Sequence, residues 1–488
     1  MPDPAERDVF PAWLTGRLSA VATAGALLYL LVALTNPGIV AVDDFRLMER
    51  FLPAQRASPS EIIEGIGIRS PLVPLLHVGI TRTALALGVE HPLDQLRVDM
   101  VVVGLVSFAA MLWAALASFE PYDAAPRERH RVVAAALLGF YFIAALFFTR
   151  PMVEAVSAPF LALSAGLACR YWTRGTPGSL ALAVAALAVA AMIRPQAGAC
   201  AIVLVLLAAW SRRPRDLAIL AATGLAAIVL TGLPDLVLRG RFHESLRLYV
   251  AFNVEKSSKF GVGPWYVYTL LFAALTLPPV FISRFRGFPW RARYRPLLPT
   301  LLFFAVFVAA HSAVPHKEER FMIPAAPLFL VLLTPLTTWL AERPEGRWRI
   351  RLLLALNTPL LLLAIAHPIQ SSTIGLARFL DAHPEFRAVA TVKPGPIHVA
   401  AMLVRQPLEV ASVPLAAEAP LDCGTLVVAF AASAGARELA ADPRRASVGR
   451  FEPGPLERLV VKINPRRNAR RGALEGFAAR ECGPAAGR

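Results

Sequence analysis

Long apolar runs, separated by short polar segments rich in arginine, set the organisation of this chain. They fall near residues 17–35, 98–119, 132–148, 155–169, 179–193, 197–210, 217–237, 265–282, 297–312, 322–341 and 352–368. A helix needs about 20 apolar residues to cross a bilayer, and several of these runs approach or reach that length. The pattern predicts an all-α polytopic membrane bundle of about eleven spans. Between 179–193 and 197–210 stands Arg194–Pro195, which predicts a kinked or re-entrant element because proline breaks the helical ladder.

Composition agrees with this picture. Of 488 residues 56% are hydrophobic and 17% charged, and the mean hydropathy is +0.54. Soluble domains carry about 25% charged residues. The net charge of +16 does not point to nucleic acid, because the basic residues sit in short loops with no stripe interleaved with aromatics. Segments 120–131, 170–178, 211–216, 283–296 and 342–351 together hold 17 Lys and Arg in 51 positions. The segment 36–98 holds six in 63. The positive-inside rule therefore predicts that the first group is cytoplasmic, and that 36–98, 149–154, 239–264, 313–321 and the chain after 368 face outward. No small-residue cleavage site follows the first run near Asn36–Pro37, so it is expected to be retained as a span. The Ala-, Arg- and Pro-rich style favours a bacterial inner membrane, with the outer loops facing the periplasm or exterior.

Two domains are expected. Residues 1–368 form the membrane domain, including the long outer loop 36–98, and residues 369–488 a small extracytoplasmic tail. In the tail, short apolar stretches at Val389–Val392, Thr425–Phe430 and Leu459–Ile463 alternate with Gly, Pro and Arg, which predicts a small α/β fold. Cys423 and Cys482 lie there without metal-site spacing and are able to pair if the tail is outside the cell. Cys169 and Cys200 read as core residues.

Ionisable residues at span ends are costly unless paired or wetted, and clusters of them mark candidate chemistry. Five clusters stand on the predicted outer side. Asp43–Asp44–Phe45–Arg46 with Glu49 offers adjacent carboxylates suited to a general base or a metal, or simply to a helix start. Arg69–Ser70–Pro71 is able to hold a phosphate through its guanidinium and backbone N–H groups, although capping explains it as well. Arg150 and Glu154 have the spacing of an i, i+4 ion pair. Arg194, at the broken pair, either caps a carbonyl or lines a cavity. Between runs nine and ten lies His316–Lys317–Glu318–Glu319–Arg320–Phe321, whose cations suit a lipid-linked phosphate, Lys as a point charge and Arg as a fork.

HKEERFMIPAAP, His316–Pro327, resembles the HKE-x-RF motif of glycosyltransferase family 22, the lipid-phosphate-mannose-dependent mannosyltransferases of the GT-C superfamily. Four other segments are similar in order. Asp43–Asp44 with Glu49 resembles the family's Asp-Glu motif, and Ile68–Arg69–Ser70 with Pro74 its IRS-x-x-x-P stretch. Arg194–Pro195 resembles its Arg-Pro-Thr motif, with Gln196 replacing Thr. Phe252–Asn253, then Phe260–Gly261–Val262–Gly263–Pro264–Trp265 and Tyr268, resembles its Asn…Tyr-Gly-x-x-Pro-Trp-x-x-Tyr segment. The chain departs from the family pattern at Ala41–Val42, where His-Pro is usual.

The resemblance implies a GT-C bundle that moves a sugar, mannose, from a polyprenyl-phosphate donor to a glycan or glycolipid acceptor. The reaction it implies is inverting and independent of metal or other cofactor. Asp44 and Asp43 become the catalytic candidates. Arg69, His316, Lys317, Arg320, Arg194, Glu49, Asn253 and Trp265 become candidates for binding the donor phosphate or substrate. The nearest alternative is another GT-C transferase, moving an aminosugar or pentose to lipid A or protein. A polysaccharide flippase or transporter is the more distant one, and would place its charges at mid-bilayer and show repeated halves.

Overall fold

Each apolar run is helical in the computed structural model, which describes residues 18–38, 68–256, 259, 261–281, 287–366, 368–392, 400, 403–463 and 471–482. Six of the described helices are long and apolar enough to cross a membrane, and a seventh candidate is a pair bent by 59°. That pair is α4 (Ala124–Phe140) and α5 (Phe142–Phe148), the run expected at 132–148, with extended Tyr141 at the break. Asn357 straddles the break, donating to the Phe140 carbonyl at 2.8 Å and accepting from the Phe142 N–H at 2.9 Å. Five further apolar helices run only 10–17 residues, so length and composition alone support fewer crossings than the eleven expected. The chain divides by packing into two compact units.

The first unit comprises Met1–Val32, Gly67–Val73 and Val101–Leu362. Small residues allow its helices to approach closely. Gly25 on α1 (Leu18–Thr35) faces Gly139 on α4, and a Cβ at Gly139 would lie 3.0 Å from the Gly25 Cα. Helix α6 (Val153–Arg174) packs beside α7 (Pro177–Ile193), joined through the left-handed C-cap Gly175. Helix α14 (Ala326–Ala341) is buried along nearly its whole length. Helix α9 (Pro214–Arg239) is the reverse: Leu225, Ile228, Leu230 and Val237 are all exposed on an apolar helix. Water would not tolerate so much continuous apolar surface, and lipid does.

The second unit comprises Ala33–Ile66, Pro74–Met100 and Leu363–Arg488. Packing thus draws part of the segment 36–98 together with the chain after Leu363. His91 meets Asp381 at 3.0 Å, and buried Asn36 accepts from the Ile369 N–H at 2.9 Å. The tail carries a five-stranded mixed sheet in the order β2-β1-β3-β5-β4. Its strands are β1 (Ala388–Val392), β2 (Glu409–Val413), β3 (Thr425–Phe430), β4 (Arg445–Phe451) and β5 (Leu474–Ala479). Strand β1 runs parallel to β2 and β3, whereas β5 is antiparallel to β3 and β4. The apolar stretches at Val389–Val392 and Thr425–Phe430 are strands, as the α/β reading requires, while Leu459–Ile463 is the end of a helix, Pro455–Ile463. Val427, Leu439 and Phe477 pack in the core beneath the sheet. Cys423 and Cys482 form a disulfide with Cα atoms 5.1 Å apart, while Cys169 and Cys200 are buried and free.

Candidate functional site

Proline sets the local geometry at two helix breaks in the first unit. Pro195 excludes the helical conformation at Arg194, which is extended (φ −133°), and a short 3-10 turn, Pro195–Cys200, leads into α8 (Ala201–Ser211). Pro315 does the same to Val314 after α13 (Leu298–Ala313), so the chain leaves the helix as an extended stretch before the 3-10 turn Glu319–Ala325. These breaks release Arg194 and the His316–Phe321 segment from the helical ladder.

Arg194 turns to Glu154 in the first turn of α6, and the two form an ion pair buried on both sides. The i, i+4 pairing of Glu154 with Arg150 expected from spacing is thereby corrected. Arg150 instead donates from Nε to the Leu146 carbonyl at 3.0 Å in a fully buried position. Glu154 also lies within electrostatic reach of Arg320 and Arg69. Phe321 stands between two guanidiniums, with Arg194 5.0 Å and Arg320 5.5 Å from its ring centre.

Within the His316–Phe321 segment, Glu318 is the shared acceptor. His316 Nε2 meets one of its oxygens at 2.9 Å and Arg320 Nε donates to the other. The Glu318 N–H donates to the Tyr268 hydroxyl at 3.2 Å, and the Gly263 N–H to the Pro315 carbonyl at 3.1 Å. The Gly261–Tyr268 stretch is therefore bound to the His316–Phe321 segment, two motifs that the sequence leaves about 50 residues apart. Gly263 is required there, since an added Cβ would lie 2.7 Å from Lys317 Cγ.

Lys317 carries a structural task. Its ammonium donates to the carbonyls of His311 (3.2 Å), Ser312 (2.9 Å) and Val314 at the end of α13, where the last turn's carbonyls lack a full intrahelical ladder and the His311 carbonyl also takes the Val314 N–H at 3.3 Å. Burial draws this lysine below the ordinary range. The other candidates are placed unevenly. Gln196, beside Arg194, donates to the Tyr249 hydroxyl on α10 (Glu244–Lys256), while Asn253 turns its amide to the Tyr249 carbonyl at 2.8 Å. Trp265 is 70% exposed, its ring edge-on to Tyr266. Asp43, Asp44 and Glu49 lie outside the described residues.

Three residues that the sequence reading did not single out support Arg69 from behind. The Arg69 carbonyl accepts from Arg239 Nη2 at 2.6 Å and from Ser245 Oγ at 3.2 Å. Asp235 in turn takes the Ser245 N–H at 2.8 Å and its hydroxyl at 2.5 Å, and lies 3.6 Å from Arg239. An acid inside the apolar run 217–237 was the visible signal for Asp235.

Arg194 thus pairs with buried Glu154, His316 and Arg320 pair with Glu318, and Phe321 lies near both Arg194 and Arg320. Residues 60–395 match the model of the Alg9-like mannosyltransferase family. The chain belongs to that family. It is a glycosyltransferase and a multi-pass membrane protein, which sets the transporter alternative aside. The matched range begins beyond Asp43, Asp44 and Glu49. The fold is similar to that of ArnT from Cupriavidus metallidurans bound to undecaprenyl phosphate, with a TM-score of 0.53 and 12% identity over 95% of this chain and 98% of that one. The apo state of the same ArnT is similar with a TM-score of 0.54 and 13% identity over the same shares. The helical bundle with a small C-terminal sheet is therefore a GT-C, ArnT-like fold.

Proposed function

We propose that this enzyme transfers mannose from a polyprenyl-phosphate donor to a glycan or glycolipid acceptor on the outer side of a bacterial inner membrane. The observation that carries the reading is the pairing of His316 and Arg320 on Glu318 beside the buried Arg194–Glu154 pair, the two arginines sharing the Phe321 ring. Arginine forks match phosphate oxygens in pairs, and a leaving group anchored in lipid needs fixed cations at the membrane face. Membership of a mannosyltransferase family supports the choice of sugar. The similar ArnT structure was solved with undecaprenyl phosphate, which supports a polyprenyl phosphate as carrier.

In this reading the bond between the sugar C1 and the phosphate oxygen breaks, and the leaving phosphate keeps the electron pair against Arg69, Arg320 and His316. The acceptor hydroxyl oxygen bonds to C1 from the opposite face, so the anomeric configuration inverts. Its proton passes to Asp44 or Asp43. Lys317 contributes charge nearby while holding the end of α13. Arg194 matches Glu154, so no bare carboxylate stands next to the donor. The reaction requires no metal.

Transfer of radiolabelled mannose from polyprenyl-phosphate mannose tests this directly, using membranes with and without the protein. Label should enter a lipid- or glycan-linked product only when the protein is present. Equal incorporation in both membranes, with label transferred from another polyprenyl-phosphate sugar instead, would overturn the choice of mannose.

A further inference from the structure

Helix α6 carries Glu154 in its first turn and Tyr171, Trp172 and Arg174 in its last. At about 1.5 Å per residue, Glu154 and Tyr171 are separated by about 26 Å along the axis, close to the thickness of a bilayer core. The far end of α6 therefore stands at the opposite membrane face from the sugar-transfer site. An open cavity of about 650 Å³ lies there, between the end of α6, the end of α8 and the start of α9.

Three arginines line it: Arg174, Arg213 and Arg295. Arg174 is shared with Glu120 at 3.5 Å, and Arg213 reaches the Gly175 carbonyl at 3.4 Å. The Arg295 guanidinium has no hydrogen-bond or ion-pair partner among the described residues. The one acid in the lining, Asp216, is buried and already takes the Tyr171 hydroxyl at 2.6 Å. The cavity thus offers cationic forks to an anion.

Its aromatic wall tells which anion. Trp172 is fixed by its indole N–H on the Arg295 carbonyl at 3.1 Å, and meets Trp210 edge-on at 6.3 Å. Trp210 is 75% exposed and ends a stripe with Leu206 and Ile202, both 54% exposed, at four-residue spacing on α8. Spacing of four places them on one helix face. A freely soluble phosphate would need the arginines alone. A cationic cavity at headgroup level that opens onto an apolar stripe running into the bilayer matches a phospholipid, phosphate in the cavity and acyl chain along α8. We propose that this cavity is a binding site for an anionic glycerophospholipid in the leaflet opposite the transfer site. The site is independent of which sugar the enzyme moves.

Native mass spectrometry of the full chain, released from micelles holding equal phosphatidylglycerol and phosphatidylcholine, tests this. One phosphatidylglycerol should be retained in preference to phosphatidylcholine. In Arg213→Gln/Arg295→Gln that preference should fall roughly ten- to thirty-fold, the scale of two basic residues at a membrane surface. Arg213→Lys/Arg295→Lys, which keeps both charges, should hold most of it and guards against a folding defect. Equal retention of the two lipids, or an unchanged preference in the Gln variant, would overturn the site. A third arm adds millimolar inorganic phosphate: full displacement of the lipid preference by phosphate alone would assign the cavity to a soluble anion instead.

Discussion

Arg194 and Glu154 stand forty residues apart and form an ion pair from which water is nearly excluded. Neither side chain pairs within its own helix. The pair ties the start of α6 to the end of α7 at the point where Pro195 breaks the chain. Charges removed from water in this way cost several kcal/mol each unless matched, so the two residues depend on each other.

Breaking the pair from one side should therefore be worse than removing it whole. Arg194→Met leaves Glu154 buried and unmatched, and should cost about 3–5 kcal/mol of stability. The double variant Glu154→Gln/Arg194→Gln should recover most of that loss in thermal unfolding in detergent. Under the proposed function it should still fail to transfer sugar, because the Arg194 guanidinium beside Phe321 and Arg320 is gone. A stable double variant with full transfer would reduce the pair to a staple.

Lys317 and Arg320 are three residues apart and should separate in kind. Lys317 holds three carbonyls at the end of α13, and hydrogen bonds from a charged group contribute about 1.5–3 kcal/mol each where nothing replaces them. Lys317→Met should lower both the unfolding midpoint and activity. Arg320→Ala should leave the midpoint near wild type while losing about 2–4 kcal/mol of transition-state stabilisation, roughly 30- to 1000-fold in turnover. If Arg320→Ala turns over normally, the cation cluster is an interfacial anchor rather than a phosphate site.

The sequence exposed what depends on local pattern. The apolar runs became helices, Arg194–Pro195 became a break, and Val389–Val392 and Thr425–Phe430 became strands. Partnerships across helices were not legible. Glu154 had an arginine at i−4, and only the packing of α6 against α7 directs it to Arg194 instead. Lys317 read only as a point charge for phosphate because its carbonyl partners are backbone, which a sequence pattern of side chains does not display. Span count was also less legible, because several apolar helices are too short to be judged by length alone.

The support behind Arg69 predicts a binding defect at a distance. Ser245→Ala removes one of two donors described at the Arg69 carbonyl, a loss of about 0.5–1.5 kcal/mol. If Arg69 holds the donor phosphate, KM for the donor should rise up to about tenfold with kcat nearly unchanged. Asp235→Asn, which disturbs both Ser245 and Arg239, should do more, and Ser245→Thr should restore the wild-type KM. A fall in kcat alone, at constant KM, would mean that the clamp does not act through Arg69.

The base for the incoming hydroxyl is assigned on chemistry and sequence, since Asp43 and Asp44 lie outside the described residues. Displacement at the sugar C1 creates a proton to be removed on the face away from the phosphate, and a carboxylate within hydrogen-bond reach typically contributes about 10²–10⁴-fold. Two adjacent carboxylates do not ionise together easily where water is scarce, so one serves as base while its neighbour orients a cation. Asparagine keeps the shape of aspartate and removes its basicity. One of Asp43→Asn and Asp44→Asn should therefore lose nearly all transfer while still binding polyprenyl-phosphate mannose. The other should be weakened chiefly in binding. Chelation with EDTA should leave wild-type transfer unchanged, which separates a proton-accepting pair from a pair that holds a divalent ion. Wild-type rates in both variants would place the base elsewhere, and Glu64, in the same segment, is the next carboxylate to substitute.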